Sequence, residues 1–155
     1  MVTGFDIIKE QIRIAAGERL DVRQRDIVPR GVSIECRINA EDPDDGFRPM
    51  PGLITHYFQP GGIGIRVDSH VHSGYVVPSH YDSLIAKLIV HAPTRKEAVV
   101  RMRRALGEFV IEGPKTTIPF LLAVFEHKAF AKADIDTGFL NRFLDERAQL
   151  SSEHK

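Results

Sequence analysis

Along residues 32–39, VSIECRIN, apolar and polar side chains alternate. Successive side chains of a strand point to opposite faces, so Val32, Ile34, Cys36 and Ile38 share one side while Ser33, Glu35, Arg37 and Asn39 share the other. The pattern predicts a half-buried antiparallel strand over Val32–Ile38. Upstream, Phe5, Ile8, Ile12 and Ala15 recur at helical spacing, with Thr3 placed to cap and Asp6 as its third residue, until Gly17. A first helix, buried on one side, is expected there. Downstream, Leu53–Phe58 and Ile63–Val67 read as two strands joined by the tight turn QPGG, Gln59–Gly62. With the first strand they predict a three-stranded antiparallel meander. The segment Tyr75–His91 ends in Leu84, Ile85, Leu88, Ile89 and Val90, and reads as a further strand entering the core after a Val-Pro turn.

The helical period returns at Thr94. Thr94 and Glu97 are spaced as a capping box, and Ala98, Val99, Met102, Leu106 and Phe109 make one apolar stripe that Gly113 and Pro114 close. Another helix starts near Thr117 and carries Leu121, Leu122 and Phe125; Pro119 is tolerated because first-turn amides lack helical partners. Phe139, Leu140, Phe143 and Leu144 predict a last short helix. Helix, antiparallel strands, then helices is the order of an α+β fold, an antiparallel sheet with helices packed on one side or end. A single domain over residues 1–147 is expected, and residues 148–155, ending in SSEHK, are expected to be a frayed tail.

Composition narrows the function classes. With 155 residues and 43% hydrophobic content the chain supports one core. Its 21 basic and 21 acidic residues cancel, so no global field draws nucleic acid or anionic lipid. The basic run Arg95, Lys96, Arg101, Arg103 and Arg104 therefore reads as a solvated helix face. Cys36 is the one cysteine; it admits no internal disulfide, fits a reducing cytoplasmic compartment, and on the apolar face is a small buried hydrophobe rather than a nucleophile. The chain has no apolar run of about 18 residues and no signal-peptide pattern at its N-terminus, so no membrane association is expected.

Few residues carry candidate chemistry. His70 and His72 stand two apart on an expected strand, with His80 further on, a spacing compatible with a three-histidine metal set. No cysteine or carboxylate lies nearby at ligand spacing, so the histidines read as ordinary hydrogen-bonding groups and no metal is expected. Glu41, Asp42, Asp44 and Asp45 fail the calcium-loop pattern, because Pro43 interrupts them and no glutamate closes the loop; they read as a turn in which Asp side chains bond nearby amides. The glycines of PGGIGIR do not lead from strand to helix and are hairpin glycines. Arg37 stands out: a rigid, permanently charged guanidinium on a polar strand face suits a carboxylate, a phosphate or a polarised carbonyl oxygen.

The runs MVTGFDIIKEQIRIAAGE, IECRINAEDP, PGLI, PGGIGIRVDS, GYVVPSHYDSLIAKLIVHAPTRKEA and RALGEFVIEGPKT resemble the biotin carboxylase C-terminal domain, over nearly all of residues 1–147. That domain occurs in acetyl-, propionyl- and methylcrotonyl-CoA carboxylases, pyruvate carboxylase and urea carboxylase. The resemblance implies part of an ATP-dependent ligase, cytoplasmic and in some systems serving fatty acid biosynthesis. ATP and Mg2+ activate bicarbonate, and biotin on a biotin carboxyl carrier protein is carboxylated at N1′ for a carboxyl transferase component. It implies that Arg37, the arginine of ECRINAED, is catalytic and biotin-binding, stabilising the enolate-like oxygen of the ureido ring. It also implies a homodimer contact involving Ile63, Arg66 and Asp82, and an approach of Thr137 and Gly138 to the adenine. In the family an ATP-grasp region precedes this domain and supplies most nucleotide and magnesium contacts, the bicarbonate-binding arginine and the general base. The sequence in hand starts after that region, so the chain alone is expected to be inactive. Two alternatives stay open: the C-terminal part of a working biotin carboxylase, or a non-catalytic assembly module retaining only the oligomer contact.

Overall fold

The structure, a computed structural model, describes residues 1–153, with side-chain surroundings given through residue 149. Its elements are α1 (Ile7–Ala15), β1 (Val32–Asn39), β2 (Glu41–Asp42), β3 (Arg48–Pro49), β4 (Gly52–Leu53), β5 (His56–Phe58), β6 (Ile65–Ser69), β7 (Val76–Val77), β8 (Leu84–Ala92), α2 (Arg95–Glu108), β9 (Val110–Glu112), α3 (Ile118–Glu126), α4 (Lys128–Lys132) and α5 (Phe139–Glu153). The α+β expectation holds, but the strands are not a meander. β8 lies between β1 and β6 in an antiparallel sheet of order β1-β8-β6. The run Leu53–Phe58 splits at Ile54–Thr55: β4 pairs with β7, and β5 pairs with β9. Gln59–Gly62 therefore does not close a hairpin between paired strands.

Register fixes the two faces of the main sheet. Cys36 lies opposite Leu88, and Leu88 opposite Val67. This row, with Ile38, Ala86 and Val90, faces α2, which buries Ala98, Val99, Met102, Ala105 and Leu106 against it. Arg37 lies opposite Lys87, and Lys87 opposite Asp68, on the other face. The alternation in VSIECRIN thus divides core from surface as expected. Burial, with a lesser contribution from Glu35, pushes the Cys36 thiol up to about 12, so the sulfur stays protonated and inert at neutral pH.

Helix ends follow local chemistry with two corrections. Thr94 and Glu97 make the expected reciprocal capping box. The helix ends at Glu108, before Gly113, because Val110–Glu112 extends to pair with β5. At the N-terminus the cap is Asp6, which accepts from the Lys9 amide at 3.0 Å, rather than Thr3. Gly17, at φ +89°, ends that helix, with Glu18 N–H donating to the Arg13 carbonyl. The helix itself buries no residue, and Ile7, Ile8, Ile12 and Ile14 are exposed. Its apolar spacing is real, but the expected burial on one side is absent among the described residues.

α5 is longer than the four apolar positions implied, and it joins Phe139 and Phe143 to Phe120 and Val124 in a second small cluster. It extends through residues 148–153 of the expected tail; residues 154 and 155 lie outside the described residues. The basic face of α2 is occupied within the chain. Arg103 pairs with Glu126 and Arg104 with Glu108, while Arg95 and Arg101 donate to the carbonyls of Phe130 and His91. No described helix is long and apolar enough to cross a membrane.

The acidic turn forms as read: Asp42 Oδ1 accepts from the Asp44 amide at 3.1 Å. Asp42 is also buried and takes a hydrogen bond from Lys115 Nζ at 2.6 Å. That ammonium, ahead of the Asp44 amide, holds the Asp42 carboxyl below its ordinary value, against the opposing effect of burial. A carboxylate whose pKa is lowered by folding stabilises the fold above its unfolded value and loses that contribution as pH falls through the folded one. Wild type should therefore lose stability below the ordinary carboxyl value of 3.8. Asp42→Asn should melt lower than wild type at neutral pH, with the gap closing in acid. Thermal melts across that range check this; a gap that stays constant with pH would contradict the assignment.

Candidate functional site around Arg37

Arg37 projects from the outer face of β1, and its side chain is 51% exposed. Nη2 donates to Asp82 Oδ2 at 3.2 Å, the one hydrogen bond of this guanidinium among the described residues. Asp82 is itself tied down, because its Oδ1 accepts from the Leu84 amide at 2.9 Å as β8 begins. It also lines a concavity of about 280 Å³ together with His70, Val71, Tyr75, Val77 and Tyr81. Arg37 does not itself line the hollow; it is tied by one hydrogen bond to the carboxylate that does, and its Nε and Nη1 keep donors for a ligand. An exposed pair of this kind contributes on the order of 0–1 kcal/mol to folding, so its geometry serves orientation more than stability.

A second link binds the same two segments. Glu41 Oε1 accepts from Asn39 Nδ2 at 2.9 Å and from the Ser83 hydroxyl, and the Ala40 amide donates to the Ser83 carbonyl. The stretches ECRINAED and YDS therefore meet through three hydrogen bonds, Arg37–Asp82, Glu41–Ser83 and Ala40–Ser83. Sequence reading placed Glu41 in a turn and Asp82 at a dimer contact. Neither reading brought it to Arg37, since the contact spans 45 residues and no local periodicity reports it.

The other expected site residues lie apart from this pair. Ile63 is 92% exposed, in the loop before β6. Arg66 stands on the outer face of that edge strand and bonds Asp68 at 2.8 Å, which raises the guanidinium pKa further. Thr137 is exposed and Gly138 half-buried in the turn before α5. The Gly138 amide donates to Asp136, whose carboxyl is held low first by Arg142 and then by that amide. His70 and His72 fall after β6 rather than on a strand. Both rings sit edge-on to Tyr75, while His80 lies against Tyr81. Among the described residues no three His, Cys, Asp or Glu side chains are grouped to hold a metal.

Comparison with known proteins interprets this arrangement. Residues 35–142 match the model of the biotin carboxylase C-terminal domain. The chain belongs to that family. It is 53% identical over 143 residues to biotin carboxylase 1 of Bacillus subtilis, covering 92% of this chain and 32% of that protein. It is 54% identical over 140 residues to the biotin carboxylase of a Nostoc species, covering 90% of this chain and 31% of that one. Among solved structures it is similar to the biotin carboxylase domain dimer of Hydrogenobacter thermophilus 2-oxoglutarate carboxylase, crystallised with MgADP, ADP and bicarbonate. The TM-score is 0.90 at 54% identity, over 92% of this chain and 31% of that one. The chain thus spans about a third of the length of the curated relatives it matches. As a biotin carboxylase C-terminal domain it places Arg37 of ECRINAED and Asp82 of YDS within one hydrogen bond of each other.

Proposed function

We propose that this chain is the C-terminal part of a cytoplasmic, ATP-dependent biotin carboxylase, that it supplies Arg37 to the biotin site, and that it is inactive alone. The observation that carries the reading is the Arg37 guanidinium bonded to Asp82, a carboxylate that lines a hollow, with Nε and Nη1 left to donate. In the proposed reaction N1′ of carrier-bound biotin loses a proton and attacks carbon dioxide released from ATP-activated bicarbonate. Negative charge grows on the ureido oxygen as the proton leaves. A fixed guanidinium opposite that oxygen stabilises the charge without reorganising, which is the usual form of electrostatic catalysis.

The proton acceptor, the bicarbonate contacts and most of the magnesium-nucleotide site are proposed to belong to the upstream ATP-grasp region that the family resemblance implies. Among the described residues no three His, Cys, Asp or Glu side chains are placed together to hold a metal ion. The exposed isoleucines of α1 support the same division, since an amphipathic helix gains its stability by covering its apolar face. Thr137 and Gly138 are proposed to approach the adenine. Ile63, Arg66 and Asp82 are proposed to contribute to a homodimer contact, which the exposed Ile63 beside an edge strand favours. The partners are the biotin carboxyl carrier protein and, through it, a carboxyl transferase.

The test joins this chain to the part of the Bacillus subtilis relative that lies upstream of the matched residues and measures ATP hydrolysis stimulated by free biotin. Turnover is expected from the fusion and none from the chain alone. Biotin-stimulated hydrolysis by the isolated chain, or a silent fusion beside an active parent enzyme, would overturn the assignment.

A further inference from the structure

We propose that Thr117 is a positioning residue for Arg37, acting through the backbone of β1; this rests on the reading of Arg37 above. β1 is an edge strand of the main sheet, with β8 on one side only. On its other side a strand edge offers unpaired amides and carbonyls. Thr117 occupies that edge beside Arg37. Its hydroxyl donates to the Arg37 carbonyl at 3.3 Å and accepts from the Asn39 amide at 3.1 Å. Its own amide donates to the Asn39 carbonyl at 3.0 Å. One residue thereby replaces a missing neighbouring strand over two residues.

The location is specific. The β1–β8 register shifts between Ile38 and Asn39, so the ladder on the other side is interrupted at the same place. Without Thr117, the outer edge of β1 at Arg37 and Asn39 would lose these bonds where the ladder on the other side is irregular, and the next backbone ties would be those of Ala40 to Ser83 and Met50. Thr117 is 6% exposed, one of two buried polar or charged residues among those described. A buried hydroxyl is retained at little cost only where its hydrogen bonds are made, and this one is used in both directions. It sits immediately before α3, whose Ile118 and Phe125 are packed in the main core. The anchor is therefore fastened to the core and not to a mobile loop. A side chain on β1 inherits the direction of its Cα–Cβ bond from this backbone, so an anchor at the Arg37 carbonyl and the Asn39 amide sets where the guanidinium points.

Thr117→Val removes the hydroxyl at nearly constant shape, and Thr117→Ser keeps it. In the 155-residue chain, amide exchange at Asn39 should quicken roughly tenfold in the valine variant and stay near wild type in the serine variant. The Arg37 Nε–Hε resonance should move in the first and not in the second. In the fusion to the upstream region, Thr117→Val should lower kcat for biotin-dependent turnover roughly 10- to 100-fold with KM for ATP unchanged, and serine should rescue it. A folded valine variant with an unmoved Arg37 resonance and full kcat would overturn the proposal. Should valine prevent folding, serine decides: retained Asn39 protection and Arg37 resonance support it, and their loss with the hydroxyl present sinks it. Arg37→Ala separates the two claims, because full turnover in that variant defeats the role of Arg37, whereas its loss beside a fully active Thr117→Val defeats only the anchor.

Discussion

Arg37→Met, made in the fusion of this chain with an ATP-grasp region, should lower kcat/KM for biotin by about 100- to 1,000-fold, the usual effect of removing one donor from a developing oxyanion. It should do so with little change in melting. The side chains of Arg37 and Asp82 are 51% and 65% exposed, and their pair is solvated; such pairs contribute on the order of 0–1 kcal/mol. Methionine keeps an unbranched stem along the sheet and removes only the charge and its donors. Arg37→Lys should recover little. An ammonium is a point charge without the planar fork, and it cannot bond Asp82 and a ligand oxygen in the same fixed geometry. The check is steady-state kinetics with free biotin alongside a thermal melt. A variant that loses activity in proportion to its melting temperature would place Arg37 in the framework; a variant with unchanged kcat/KM would remove it from the reaction.

How far this site was legible in the sequence depends on how local each signal is. The direction of Arg37 could be read because strand alternation is a property of neighbouring residues, and Cys36 and Ile38 on either side of it are both buried. The start of α2 could be read because Thr94 and Glu97 satisfy each other's backbone within one turn. Strand partners are another matter. β8 enters between β1 and β6 from sequence positions beyond both, and nothing within VSIECRIN or GIRVDS encodes that insertion. Asp82 and Thr117, which hold the side chain and the backbone of Arg37, are contributed 45 and 80 residues away. Resemblance to a family supplied Arg37 with a role but placed Asp82 at an oligomer contact; only the folded chain shows it beside the guanidinium. At α1 the period was read correctly and the burial was not, because periodicity reports that a face is apolar and says nothing about what covers it.

Leu88→Ala should produce the largest loss of stability. Leu88 is 0% exposed at the middle of β8, opposite Cys36 on one side and Val67 on the other. It faces the stripe of α2 that carries Ala98, Met102 and Leu106. Deleting its three outer carbons removes the transfer free energy of those atoms and leaves a cavity that a strand bonded on both sides cannot collapse to fill. Buried leucines truncated in this way typically cost about 2–5 kcal/mol. For a chain of this size that corresponds to a fall in melting temperature of roughly 5–15 °C. Leu53→Ala is the control, since Leu53 is 50% exposed on a short strand and should change stability by well under half as much. Calorimetric melts of the two variants distinguish the cases, and similar losses at both positions would mean that β8 is not the centre of the core. The same strand begins two residues after Asp82. Loosening it should therefore also free the carboxylate that aims Arg37, so Leu88→Ala in the fusion should lose biotin-dependent turnover at temperatures well below its own melting point.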